Sequence, residues 1–271
     1  MTAPVRLAVL GDPLRYTLSP DLHRAGAAAL GLACKSLALR TSIDDLADTL
    51  ARLASDGYRG CNLTMPLKER ALTLMQDVTP AARRARSVNT VTFGADGPHG
   101  DTTDGAGFVE LLAELGRDAA HRRIALLGAG GAARSLAIAI ADAGGRTPHV
   151  ISRRKPASDA AWGGELGARW CEWGGGAASE ALAGSEIVVN CTPLGTQSPP
   201  VSLASLAPRT LVIDLTYGET LTPWVLDARA RGLEAVDGLG LLVHQARHSL
   251  VAWFGREVPF VPLAAAVGWP R

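Results

Sequence analysis

Short apolar or β-branched runs recur along the chain, and most are followed by a stretch with helical periodicity, which is the pattern of a largely parallel α/β fold. The first run, Arg6-Leu-Ala-Val-Leu10, ends at Gly-Asp-Pro, and a helix is expected to start at Ser19-Pro20, where Ser can cap and Pro fits the first turn. Strands are predicted near Ser36 to Leu39, Tyr58 to Leu63 and Ser87 to Phe93, with helices from Ile43 to Ala54 and from Pro66 onward. The cluster Gly94 to Gly100 reads as a loop or hairpin tip. A second series opens at Arg122 to Leu127 and continues with strands at His149 to Ser152, Glu186 to Cys191, Thr210 to Leu215 and Leu233 to Val236. That series has the size of a pair of mononucleotide-binding units. From Leu239, apolar residues fall near a 3.6-residue period through Leu242, Val243, Ala246, Leu250 and Trp253, so a final long helix should end near Gly255.

Composition narrows the class. A chain of 271 residues favours two modest domains or one large one at about 150 residues per domain. With 47% hydrophobic and 20% charged residues it has the makings of a packed core, not of a disordered segment. The formal charge of +1 supplies no field to draw it onto nucleic acid or anionic lipid. The longest uncharged stretch, Ile187 to Pro208, holds four prolines and Asn190, so no membrane span is expected. The apolar run after Arg6 is too short for a secretory signal, which makes the cytoplasm the default location. Cys34, Cys61, Cys171 and Cys191 form no C-x-x-C pair. They are read as small buried hydrophobes, with neither disulfides nor a metal site expected.

Gly128-Ala-Gly130-Gly131-Ala-Ala133 fits G-x-G-x-x-G/A directly between a strand and the helical run Ala132 to Ala143. In that setting the glycines permit a tight turn and close approach of backbone amides to a pyrophosphate, and the helix N-terminus favours its charge. Without the flanking elements the same glycines would be an ordinary turn. The next strand ends at Ser152-Arg153-Arg154-Lys155, where an NAD-specific protein carries a carboxylate for the ribose 2′-hydroxyl. Three cations there suit a 2′-phosphate instead, so the cofactor is expected to be NADP. Alone, the basic turn would be a solvated one.

The strand Tyr58 to Leu63 runs into Asn62-Leu-Thr64-Met-Pro66-Leu-Lys68, and Asp104 stands before Gly105. By themselves Lys68 is one of many lysines and Asp104 a default helix cap. Taken together with Gly11-Asp-Pro13, Thr17-Leu-Ser19-Pro20, His23, Ser87-Val-Asn89-Thr90 and the glycine loop closed by Arg134, however, these segments resemble the shikimate dehydrogenase family along essentially the whole chain. Asn190-Cys-Thr192-Pro193-Leu-Gly195, Asp214-Leu-Thr-Tyr217 and Asp237-Gly-Leu-Gly240 through Gln245 extend the match.

The resemblance implies NADP-dependent interconversion of 3-dehydroshikimate and shikimate on the route to aromatic amino acids, with Lys68 and Asp104 as the acid–base pair. It places Asn62, Asn89 and Gln245 on ring hydroxyls, Thr17, Ser19 and Thr64 near the carboxylate, and Tyr217 at the edge of the closed site. It also implies NADP contacts at Gly128, Gly130, Gly131, Ala132, Ser152, Arg153, Arg154, Thr192, Leu215, Gly238 and Leu241. The implied architecture is a discontinuous α/β substrate domain, 1–104 with 239–271, completed by C-terminal helices. Its counterpart is a Rossmann-like NADP domain, 105–238, with the active site in the cleft between the two. The chain would act as a monomer or homodimer.

Departures from the family pattern stand at Thr17 for Ser, Arg24 for Asn, Thr102 for Asn, Ser152 for Asn and Leu241 for Met. The Thr17 methyl narrows the expected carboxylate site, which bears on shikimate against quinate or an amino analogue. Losing Met at 241 removes a soft contact expected near the nicotinamide. A dehydrogenase of broader specificity is therefore the main alternative, and a non-catalytic NADP or shikimate-binding regulator a lesser one. A short-chain dehydrogenase is excluded, because Tyr16, Tyr58 and Tyr217 are followed at the fourth position by Pro20, Asn62 and Leu221 and not by Lys.

Overall fold

The computed structural model of the chain describes residues 3–14, 16–153, 168–194 and 200–271. They separate into two compact units, one made of Met1–Gly107 with Leu242–Pro270 and the other of Phe108–Leu241 with Arg271.

The first unit is built on β1 (Val5–Gly11), β2 (Cys34–Arg40), β3 (Gly60–Leu63), β4 (Asp77–Val78), β5 (Thr90–Gly94) and β6 (Gly97–Asp101), in the order β2-β1-β3-β5-β6-β4. β1 lies parallel between β2 and β3, β5 pairs antiparallel with β3, and β6 completes a hairpin with β5. The helices of this half are α1 (Ser19–Ala29), α2 (Leu46–Ser55), α3 (Leu67–Ala71) and α4 (Pro80–Ala85). Leu46, Leu50 and Leu53 of α2 recur at helical spacing and bury against Ala8, Leu10, Cys61, Leu63 and Val91 from the sheet. Ser19 is the first residue of α1 and not its cap, a position held by Leu18 without a side-chain bond. The segment 94–100 is a hairpin whose second strand begins at Gly97, held at φ +136, so most of the expected loop is strand.

The second unit opens with α5 (Asp104–Glu114), whose first turn belongs to the other unit. It continues through β7 (Ile124–Leu127), α6 (Gly131–Asp142), β8 (His149–Ser152), β9 (Arg169–Glu172), α7 (Gly176–Gly184) and β10 (Ile187–Asn190). β11 (Leu211–Asp214), α8 (Pro223–Ala230) and β12 (Ala235–Val236) follow. All neighbouring strands are parallel, in the order β12-β11-β10-β7-β8-β9. This is the doubly wound order with its switch point between β7 and β10, where ligands of such sheets bind beyond the strand carboxyl ends. The inner strands β7, β10 and β11 are buried on both faces and read as apolar runs, whereas the edge strand β9 is polar and partly exposed. Thr222 caps α8 by accepting from the Val225 amide, with Pro223 in the first turn.

α9 (Leu239–Phe254) and α10 (Phe260–Val267) end the chain. Gly107 makes close packing with α9 possible: a Cβ there would lie 2.7 Å from the Gln245 backbone nitrogen. All four cysteines are free, but only Cys61 and Cys171 are buried, while Cys34 and Cys191 are half-exposed where their strands end or begin. No helix among the described residues is long and apolar enough to cross a membrane.

Candidate active site

In the first unit, β3, β5, α5 and α9 bring polar side chains from distant parts of the sequence into one buried cluster. Lys68, on the short helix α3 that Pro66 introduces, donates from Nζ to Asp104 Oδ2 at 2.6 Å. Asp104 stands in the first turn of α5, where the helix dipole favours a carboxylate. It does not act as a simple cap: its second oxygen accepts from Asn89 Nδ2 at 2.7 Å. Both carboxylate oxygens are thus held, one by an ammonium and one by an amide. The carboxylate is nearly sealed from solvent, whereas the lysine side chain keeps 18% exposure, so the pair faces outward through Lys68.

Asn89 is fixed from several sides. Its Oδ1 accepts from the Thr103 amide at 2.9 Å and from Thr90 Oγ1 at 3.0 Å, and its Nδ2 also reaches Thr103 Oγ1 at 3.0 Å. Gln245 arrives on α9 and orients its carboxamide with a bond from Nε2 to the Leu242 carbonyl at 2.9 Å. Its Oε1 lies 3.5 Å from Asn89 Nδ2 and 3.4 Å from Thr103 Oγ1, long contacts at the limit of hydrogen bonding. Asn62 sits deeper. Its Nδ2 donates to the Asn89 carbonyl at 3.0 Å, to Thr90 Oγ1 at 3.1 Å and to Ser249 Oγ at 3.0 Å, while Oδ1 faces His23 Nε2 at 2.9 Å. A carboxamide has two N–H groups, so those of Asn62 are fully engaged within the protein.

Thr17 and Ser19 pair with each other: Thr17 Oγ1 donates to Ser19 Oγ and accepts from the Ser19 amide, both at 3.3 Å. Thr64 is half-buried beside Gly11, where a Cβ would come within 2.3 Å of its methyl. The Thr64 amide donates to the Leu10 carbonyl, tying the end of β3 to the end of β1. Thr103 and Ser249 join the cluster without a motif to announce them. Ser249 lies one helical turn beyond Gln245 and accepts from Asn62, so its i+4 spacing from Gln245 was the available signal.

The second unit has a separate arrangement at the β7/β10 switch point. Gly128 adopts φ +102, and a Cβ there would meet the Thr192 methyl at 2.8 Å. Among the described residues, Gly130 has nothing within 4 Å of the position its Cβ would take, and α6 begins at Gly131 with no side-chain cap. The first amides of an α-helix, here including that of Ala132, have no intrahelical acceptor, and no side chain among the described residues caps them. This is the cradle that a pyrophosphate requires, and the residues present fit NADP at that end. Arg153 is exposed directly after β8. The Ser152 hydroxyl accepts from the Trp170 indole at 3.0 Å. Arg154, together with Lys155 and Gly195, lies outside the described residues.

Two buried side chains shape the loops over this end of the sheet. Asn190 donates to Asp214 Oδ1 at 2.9 Å and accepts from Thr192 Oγ1 at 2.6 Å and the Thr192 amide at 3.0 Å. Asp214 also accepts from Thr216 Oγ1 and Thr222 Oγ1, both at 2.8 Å. Burial pushes the Asp214 carboxyl above its usual range, against these hydrogen bonds. The segment carrying Leu215 and the half-buried Tyr217 is anchored in this way. Gly238 packs so tightly that a Cβ would lie 2.2 Å from the Leu215 carbonyl oxygen. Asp237 accepts from the Leu239 amide at the start of α9 and from the Arg271 guanidinium, which also donates to the Gly218 carbonyl at 3.0 Å. Leu241, near the start of α9, is buried. Among the predicted residues, Tyr217 belongs with the second unit, and the other substrate candidates belong with the first.

Residues 9–91 match the family described as the shikimate dehydrogenase substrate binding domain, and residues 123–218 match one described as NADP oxidoreductase, coenzyme F420-dependent. A shikimate dehydrogenase (NADP(+)) of Acidiphilium cryptum is 40% identical over 94% of this chain and 92% of its own. The crystal structure of shikimate 5-dehydrogenase from Thermus thermophilus in complex with NADP(H) and shikimate superposes with a TM-score of 0.85. It is 31% identical and covers 97% of this chain and 98% of that one. A ligand-free 5-ketofructose reductase of Gluconobacter also shares the fold, with a TM-score of 0.82, 26% identity and 98% coverage of both chains. By its sequence along nearly the full length, the chain belongs to the shikimate dehydrogenase family.

Proposed function

We propose that the protein is an NADP-dependent shikimate dehydrogenase that reversibly reduces 3-dehydroshikimate to shikimate on the way to aromatic amino acids. The observation that carries the reading is the Lys68–Asp104–Asn89 array, an ammonium and an amide gripping one buried carboxylate in a chain of this family. NADP, when bound, accepts or supplies the hydride at the carbinol carbon. We assign its pyrophosphate to the Gly128–Ala132 turn and its 2′-phosphate to Arg153, with Ser152, Arg154, Thr192, Leu215, Gly238 and Leu241 around it.

The chain's own residues manage the proton. In oxidation the neutral amine of Lys68 takes the proton from the reacting hydroxyl as its carbon loses hydride, and in reduction the ammonium returns a proton to the carbonyl oxygen. Asp104 holds Nζ at a fixed point, and Asn89 holds Asp104, so the proton-transfer atom is placed before substrate arrives. We assign Thr17, Ser19 and Thr64 to the ring carboxylate, Asn89 and Gln245 to ring hydroxyls, and Tyr217 to the edge of the site. The committed donors of Asn62 favour a supporting role for it over the substrate contact expected from resemblance. The enzyme is expected in the cytoplasm, as a monomer or homodimer.

A second reading, broader specificity, is favoured by Thr17 where the family pattern has Ser, and by the 5-ketofructose reductase of the same fold. Following NADP reduction with shikimate, quinate and aminoshikimate side by side separates the two. Turnover of shikimate far above the others supports the first reading, comparable turnover of two or more supports the second, and no turnover of any refutes both.

A further inference from the structure

His23 is fully buried on α1, and both ring nitrogens are engaged: Nδ1 lies 2.8 Å from Ser36 Oγ, and Nε2 lies 2.9 Å from Asn62 Oδ1. Its ring meets Trp253 edge-on, with centroids 5.0 Å apart. The direction of each bond can be derived. The Asn89 carbonyl is purely an acceptor, so the Asn62 atom 3.0 Å from it must be the amide nitrogen. Asn62 therefore turns its oxygen to His23, and His23 must present an N–H at Nε2. Nδ1 is then an acceptor, and the Ser36 hydroxyl must donate to it. The chain of donors runs one way, from Ser36 through His23 to Asn62, and from Asn62 to the Asn89 carbonyl and the hydroxyls of Thr90 and Ser249.

We infer that His23 is a positioning residue, which fixes the Asn62 carboxamide from its Nε2–H and through it the backbone of Asn89, whose side chain holds the Asp104 carboxylate. Reversing the tautomer would set Nε2 against Asn62 Oδ1 as two acceptors, and flipping Asn62 to relieve that would set its oxygen against the Asn89 carbonyl. Only one arrangement satisfies every group, which is what a site needs to keep one geometry. Burial holds the ring down to about 4, so it stays neutral and its single proton remains on Nε2 through the working range.

This inference rests on the dehydrogenase reading for its kinetic consequence but not for its geometry, and the test addresses both. His23→Leu removes the donor, and His23→Gln restores an N–H close to the place of Nε2. In the shikimate assay we expect His23→Leu to lose about tenfold to a hundredfold in kcat with KM for NADP unchanged, and His23→Gln to stay within about threefold of wild type. Unchanged kcat in the folded Leu variant, or a folded Gln variant no better than Leu, would overturn it. Nitrogen NMR of histidine-labelled wild-type protein tests the geometry alone, with His23 identified by the signals lost in His23→Gln. A proton on Nε2 supports the inference, and a proton on Nδ1 overturns it. If wild type oxidised no shikimate, the dehydrogenase reading would fall while the NMR result still decided the role of His23.

Discussion

Acid should destabilise this protein through His23, by an amount that the structure bounds. Burial is the main cause holding the ring at about 4 instead of 6.5, with the Arg24 charge adding to it and the Asn62 hydrogen bond opposing it. Between those values the unfolded chain binds a proton at His23 that the folded chain refuses. The contribution of the neutral ring is therefore complete above pH 6.5, falls as pH drops through that window, and is lost by about pH 4. The difference between the two values, at about 1.36 kcal/mol per pH unit, amounts to about 3 kcal/mol. His23→Gln, which cannot titrate, isolates this from every carboxylate that also changes with pH. Urea unfolding of both proteins at a series of pH values supplies the assay. The stability of wild type relative to His23→Gln should fall by about 3 kcal/mol from neutral pH to about pH 4. A difference that stays constant with pH would show that His23 is protonated as easily folded as unfolded, and the argument from its burial would be wrong.

Lys68→Ala should lower kcat by about 10²- to 10⁴-fold with NADP affinity, read by titration, nearly unchanged. Asp104→Asn should also be severely impaired, and the two losses should combine less than additively in the double variant, since one ion pair joins the residues. Arg153→Ala should raise KM for NADP by about 10- to 150-fold while leaving KM for NAD close to wild type; equal effects on both would remove Arg153 from the 2′-phosphate site. Shikimate should be preferred to quinate by about 10- to 200-fold in kcat/KM, and Thr17→Ser should narrow that ratio, if, as proposed, Thr17 meets the ring carboxylate, where quinate carries an added hydroxyl. An unchanged ratio in Thr17→Ser would refute the steric account.

The second unit was the more legible of the two in the sequence. Its strands Ile124–Leu127, Ile187–Asn190 and Leu211–Asp214 are buried on both faces, and such strands advertise themselves as apolar runs between turn residues. The strands that went unseen have other compositions. Gly97–Asp101 reads Gly-Pro-His-Gly-Asp and exists as strand because Thr90–Gly94 pairs with it, and Arg169–Glu172 is a polar edge strand held by pairing with β8. Asp77–Val78 is two residues long and has no periodicity to detect. The final helix Phe260–Val267 carries Pro262, which conceals its first turn.

Site residues divide along the same physical line. The Gly128 turn was readable because its chemistry is local, a positive φ and an uncapped helix start within a few residues. Lys68, Asn89, Asp104 and Gln245 have no local signature, since nothing within a few residues of Lys68 requires an aspartate 36 positions away. Their association was legible only through the motifs of a family. A motif records that an asparagine stands at Asn62 and not which atoms its amide faces, so its bonds to the Asn89 carbonyl, Thr90 and Ser249 had no signal in the sequence. Gly107 shows the same gap. Nothing in the residues around it states why a glycine stands there; the reason is the backbone of Gln245, which packs where a side chain on residue 107 would have to go. The missing Cβ lets α9 approach α5 closely, and that approach sets Gln245 Oε1 beside Thr103 and Asn89 across 142 and 156 residues of sequence. The glycine therefore belongs to the site as much as the glutamine does, through the volume it leaves empty.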